Sequence, residues 1–157
     1  MSKNSLPLKI TIIVIGVLGL AFFFWAVPVI GNWIKDGNPE FSNAYIPWLI
    51  LFWITAVPCY ITLVILWLVV SSIDKGELFR HKNAKHFKTI SSLVFIDVAV
   101  FFCTNIVFLI MDINHPSIVL ASAFISLIGV AFGICMTALS EFFEKAAILQ
   151  DENDLTI

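Results

Sequence analysis

Four long apolar runs leave this chain few folds to choose from. Ile10 to Ile34, Phe41 to Ile73 and Ile113 to Ser140 carry no Asp, Glu, Lys or Arg, and Thr89 to Met111 carries only Asp97. Each supplies the roughly 20 residues that a helix needs to cross a bilayer core. A helix in a soluble bundle would carry charge on its outer face; these runs are apolar on every side. Composition agrees, with 60% apolar and 13% charged residues. The reading is an all-α polytopic membrane protein with four transmembrane helices. They fall at about 10–30, 47–72, 89–111 and 117–140, with a tail at 141–157, in one membrane domain spanning 1–157. The first run is too long for the apolar part of a signal peptide, and no small-x-small cleavage site follows "FFFWAVPVIG", so it is expected to be retained.

Charge orients the spans. With four crossings, both termini share a side with the second loop. That side carries Lys3, Lys9, Lys75, Arg80, Lys82, Lys85, Lys88 and Lys145, whereas the other carries only Lys35. The positive-inside rule then places both termini in the cytoplasm. Trp33, Tyr45 and Trp48 flank the outward loop as interfacial anchors. Cys59, Cys103 and Cys135 all fall within spans at spacings that suggest neither a disulfide framework nor a metal site. Pro28 and Pro58 are expected to bend the first two helices, while Pro47 and Pro116 suit opening turns.

Small residues mark a packing face. Ser122, Ser126, Gly129, Gly133, Thr137 and Ser140 recur every three or four positions in the fourth span, with a G-x-x-x-G pair inside the series. In lipid such a face lets two backbones approach closely. The sequence leaves open whether the neighbour is another span or a second copy of the chain.

Asp97 lies eight residues into the third span, a depth of about 12 Å. A charge there costs several kcal/mol. Thr62 or Tyr60 of the second span falls at a similar depth and is expected to donate a hydrogen bond; Thr55 and Asn105 extend a thin polar seam outward. Three roles stay open for the acid: fixing helix packing, holding a cation or proton, or switching between signalling conformations.

The remaining polar signal sits on one side. The second loop, Asp74 to Lys88, holds five Lys or Arg against two acids and should attract anionic lipid. It is too short and mixed to suggest nucleic-acid binding. His81 and His86 have no third metal ligand in the loop and read as solvated. Leu139, Phe142, Phe143, Ala146 and Leu149 share a helical face beyond the fourth span, which implies a short amphipathic extension. From Glu141 onward there are five acids and one lysine. A basic loop and an acidic tail on one side suggest a clasp between them or a composite docking surface. Its candidate residues are Phe79, Arg80, Lys82, Asn83 and Lys85 with Phe142, Phe143, Glu152, Asn153, Asp154 and Leu155.

The stretch "GELFRHKNAKHFKTI" and the ending "FFEKAAILQDENDLTI" resemble a bacterial family of small membrane proteins, domain of unknown function 2975. Gly76, Phe79 and Asn83 match its Gly-x-x-Phe and Asn pattern, and Glu152, Asn153, Asp154, Leu155 and Thr156 match its acidic ending. Ile90-Ser91 stands where the family often has Ile-Gly. The resemblance implies four spans, no established enzymatic activity, and frequent encoding beside a small helix-turn-helix regulator.

No metal-ligand set, nucleophile–base pair or phosphate loop points to an enzyme or to a cofactor. The favoured expectation is a regulatory or interaction protein that binds a cytoplasmic partner, such as a helix-turn-helix regulator, through the second loop and tail. The alternative is an oligomeric transporter, channel or immunity-type protein built around Asp97. The orientation is testable. A cysteine placed at Asn38 should react with an impermeant thiol reagent from outside the cell, and one at Asn83 only after the membrane is opened.

Overall fold

The computed structural model describes residues 5–155, with side chains described as far as Asn153. These residues form helices and turns and no strand. Four helical rods follow one another, each long and apolar enough to cross a membrane: Ser5–Gly37, Pro39–Asp74, His81–Ile110 and Pro116–Asn153.

The first rod comprises α1 (Ser5–Ala21), a π-helical turn (Phe22–Ala26) and α2 (Val27–Gly37). The π turn has a local cause. Pro28 lacks an N–H and its ring crowds the carbonyl one turn back. A widened turn just before it moves the Val27 N–H onto the Phe22 carbonyl. That leaves the Phe23 carbonyl without its usual partner, and the Trp53 indole N–H donates to it at 3.3 Å. A 3-10 turn (Pro39–Ala44) leads into α3 (Tyr45–Asp74), which continues as helix through Pro58. Pro47 lies in the first turn of α3, and Pro116 opens the last helix.

The second loop is shorter than its charge pattern suggests. The expected loop from Asp74 to Lys88 is helical from His81 onward, so Lys82, Asn83, Lys85 and Lys88 belong to α4 (His81–Ile110). Charge ends the apolar stretch there, but Lys, Ala, His and Phe all tolerate helix, and nothing between His81 and Lys88 breaks it. The turn after α4 is tight. Asp112 adopts a φ of 57°, which a short polar side chain tolerates. Asn114 donates to the Asn105 carbonyl at 3.1 Å and side chain at 3.2 Å, tying the start of α5 (Pro116–Leu155) to α4.

Close backbone packing runs from α1 to α3, α3 to α4 and α4 to α5, with no α1–α5 contact to close the ring among the described residues. The α4–α5 seam is the most extensive. It uses the small-residue face of α5 within the chain: Gly129 faces Val98, and Gly133 faces the Phe95 ring. Ser91 donates to the Gly133 carbonyl at 2.9 Å and lies 2.7 Å from the Thr137 hydroxyl. Ser122 bonds within its own helix, and the buried Ser126 hydroxyl has no partner among the described residues, so small size is what that position contributes. An apolar cluster of Ile65, Val69, Phe87 and Ile90 joins α3 to α4, and Met136 and Phe143 of α5 pack against it.

The first helix is held differently. Ser5 is its only buried residue. Tyr60 donates to the Gly16 carbonyl at 2.9 Å, and its hydroxyl lies where a side chain on Gly19 would fall. At the end beside the second loop, Asp74 accepts from Ser5 and pairs with Lys9 at 2.6 Å. Hydrogen bonds and close approach thus anchor α1, as expected where lipid removes the drive to bury apolar surface.

Gly129 offers a direct test of the seam. A methyl group there collides with Val98, whose branched side chain has one strongly preferred rotamer in a helix. Gly129→Ala should lower stability by about 1–3 kcal/mol. Gly37→Ala, which meets nothing within 4 Å, should be close to neutral. Thermal unfolding of both variants in detergent micelles makes the comparison.

Candidate functional site

The loop-two end gathers the chain's distinctive polar residues, beginning with the turn itself. Gly76 has a φ of 70° at the end of α3. Its N–H bonds to the Ile73 carbonyl and the Glu77 N–H to the Ser72 carbonyl, the paired pattern that closes a helix on a left-handed glycine. Asn83 then ties the turn from the other side. It is only 3% exposed. Its amide donates to the Ser72 hydroxyl at 2.7 Å, the Leu78 carbonyl at 2.7 Å and the Glu77 carbonyl at 3.2 Å. Gly76 and Asn83 therefore have a shared structural role: one bends the chain and the other satisfies the bent backbone. Asn83 points inward and is withdrawn from the expected docking surface.

The tail continues α5. At 1.5 Å per residue its 40 residues extend about 60 Å, against roughly 30 Å of hydrocarbon. The extension lies on Phe79 of loop two and on the first turns of α4. Phe143 sits between Phe79, with ring centroids 5.5 Å apart, and Phe87, at 4.8 Å. Ser140 donates to the Ala84 carbonyl at 2.8 Å, and Ala147 is fully packed. His81 contacts Glu144 through Nδ1 at 2.8 Å and Asp151 through Nε2 at 3.3 Å. These half-exposed pairs are worth about 0–1 kcal/mol each and are screened by salt. The aromatic contacts carry most of the attachment.

The contact between loop and tail runs through a residue other than the expected cations. His81, read from sequence as solvated, meets the acids, while Arg80, Lys82 and Lys85 form no ion pair among the described residues. Helical phase explains this. Ala84, Phe87 and Ser91 contact α5, and His81 lies one turn before Ala84 on that face. The packed face of the tail is likewise rotated from the expected one. Phe143 and Ala147 face α4, while Phe142 is 62% exposed and Leu149 61% exposed. Glu152 and Asn153 are exposed in the final turns. The side chains of Asp154 and Leu155 lie outside the described residues, as do Lys3 and Thr156.

The polar groups expected around Asp97 are used elsewhere. Tyr60 bonds to α1, Thr55 bonds to the Phe52 carbonyl of its own helix, and the fully buried Asn105 pairs with Asn114. Thr62 forms no hydrogen bond to Asp97. Asp97 is partly exposed and makes no hydrogen bond among the described residues; Cys59 of α3 is within electrostatic reach. No hydrogen-bonded seam links these groups. No cluster of three or more His, Cys, Asp or Glu suited to a metal ion occurs among the described residues.

Comparisons with known proteins agree with this architecture. The family model described as "Protein of unknown function (DUF2975)" matches residues 29–157. The "Uncharacterized membrane protein YoaS" of Bacillus subtilis (strain 168) is 26% identical over 159 residues, covering 98% of this chain and 98% of that protein. No solved structure matches the chain.

Two consequences follow from Asn83. Since it is buried, Glu77, exposed in the same turn, is the better position for the inward accessibility label. Asn83→Ala removes the amide from the Leu78 and Glu77 carbonyls and should cost about 1–3 kcal/mol. Hydrogen exchange should rise across residues 75–83, while the α4–α5 seam remains protected.

Proposed function

The chain belongs to the DUF2975 family, and we propose that it is a non-enzymatic, multi-pass protein of the bacterial cytoplasmic membrane that presents its loop-two end to a cytoplasmic partner. Both termini face the cytoplasm in this reading, in keeping with eight Lys or Arg on that side and one on the other. The observation that carries the proposal is the length of α5. The helix is far longer than a span requires, and its extension is braced against Phe79 of loop two and against His81 and Phe87 at the start of α4. A braced helix offers a partner a surface whose ordering entropy has already been lost.

That surface has a usable composition. Phe142 and Leu149 are exposed beside Glu141, Lys145 and Glu152, so apolar contact is framed by charge. We assign the partner to the class of small helix-turn-helix regulators, with the membrane protein holding the regulator or responding to it. Direct binding of nucleic acid by this chain is not part of the proposal. A homo-oligomer is compatible with it but is not required, since the small-residue face of α5 is engaged by α4.

The test is capture of the regulator encoded beside the gene by detergent-purified protein. Truncation after Leu149 keeps all four spans and Phe143 but removes Asp151 and the acidic ending. It should leave purification unchanged and reduce capture at least severalfold. Phe142→Ala in the full-length chain should do the same. Equal capture by all three proteins would remove the tail from the interface, and no capture by the full-length chain would leave the proposal without its partner.

A further inference from the structure

A second feature of the loop-two end lies away from the tail. A cleft of about 490 Å³ opens between the end of α3 and the start of α4. Lys75, Arg80, Lys82 and His86 line it, with Ser71 and Ser72 beneath them and Leu68 on its wall. Glu77 is the one acid in the lining among the described residues. We propose that this cleft binds the phosphate group of an anionic phospholipid.

Three observations support that assignment. The first is the unequal use of charge. Nearby acids are committed elsewhere: Asp74 to Lys9, and Glu144 and Asp151 to His81. Lys75, Arg80 and Lys82 form no ion pair among the described residues. Cations converging on one cleft repel one another, and an oxyanion relieves that repulsion while accepting several charge-assisted hydrogen bonds.

The second is rigidity. Asn83, which also lines the cleft, fixes the Ser72 hydroxyl and the loop-two carbonyls in place, so the cations project from a closed turn rather than a loose loop. The third is position. The cleft lies where two membrane-spanning helices leave their apolar stretches, the level at which lipid phosphates lie. Its lining runs from Leu68 through the two serines to the cations, a polarity gradient that matches a lipid from acyl chain to headgroup. A soluble phosphate would use only the cationic end.

This site is independent of the tail surface, because Lys82 and His86 line the α3 side whereas His81, Ala84 and Phe87 face α5. The experiment is native mass spectrometry of the full-length protein in a neutral detergent, titrated with phosphatidylglycerol or phosphatidylcholine. The wild-type protein should bind phosphatidylglycerol at least about tenfold more tightly than the zwitterionic lipid, at roughly fivefold per cation. Lys75→Gln/Arg80→Gln/Lys82→Gln should lose most of that preference. Lys85→Gln/Lys88→Gln/Lys145→Gln removes the same charge outside the cleft and should retain it. Should the cleft triple variant fail to fold, Lys82→Gln alone should weaken phosphatidylglycerol binding about fivefold. Equal loss in the two triple variants would reduce the effect to general surface charge and overturn the site. Saturation by inorganic phosphate, with phosphatidylglycerol adding nothing, would overturn the lipid assignment.

Discussion

The close approach of α4 and α5 is the contact on which the rest of the structure depends. Lipid gives two apolar helices no reason to bury surface against each other, so association rests on dispersion at short range and on hydrogen bonds that lipid cannot replace. Gly129 and Gly133 admit Val98 and Phe95 at distances that any larger residue would block. Ser91 then reaches the Gly133 carbonyl and the Thr137 hydroxyl across the seam. The same register continues past the span, where it brings Ser140 to Ala84 and Phe143 to Phe87. The placement of the tail on the start of α4 is therefore a continuation of an intramembrane seam.

Elsewhere the chain uses fewer ties. The first helix contributes little to the core, and a handful of polar contacts hold it to α3: Tyr60 to Gly16, Trp53 to Phe23, and Lys9 with Ser5 to Asp74. The Trp53 contact depends on Pro28, because the widened turn ahead of the proline is what frees the Phe23 carbonyl. At the loop-two end, one turn separates two surfaces. Asn83 and Gly76 hold that turn, the tail lies along one side of α4, and the cationic cleft opens on the other.

Much of the site was legible in outline and displaced in detail. Gly76, Phe79 and Asn83 stood out as a pattern, but the pattern did not say that Gly76 and Asn83 build the turn while Phe79 joins the tail. Opposite charge on the loop and tail suggested a clasp. The residue that meets the tail acids, His81, was set by helix phase, which could be read only once α4 was known to begin at His81 and not near Thr89. The expected seam around Asp97 failed for a related reason. Equal depth in a membrane does not make two side chains face each other, and Tyr60 points toward α1.

The sequence by itself determined the solvent, the number of helical rods and the existence of a small-residue face, because these follow from run length, side-chain polarity and a helical period that any neighbour would share. Tertiary structure decided which face meets which helix. It assigned the Gly129–Gly133 face to α4 of the same chain, directed His81 to the acids and left Lys75, Arg80 and Lys82 around a separate cleft. The physical reason is rotation. A turn of about 100° per residue moves a side chain from seam to lipid to cleft without changing its depth or composition, and only packing against a particular neighbour sets that angle.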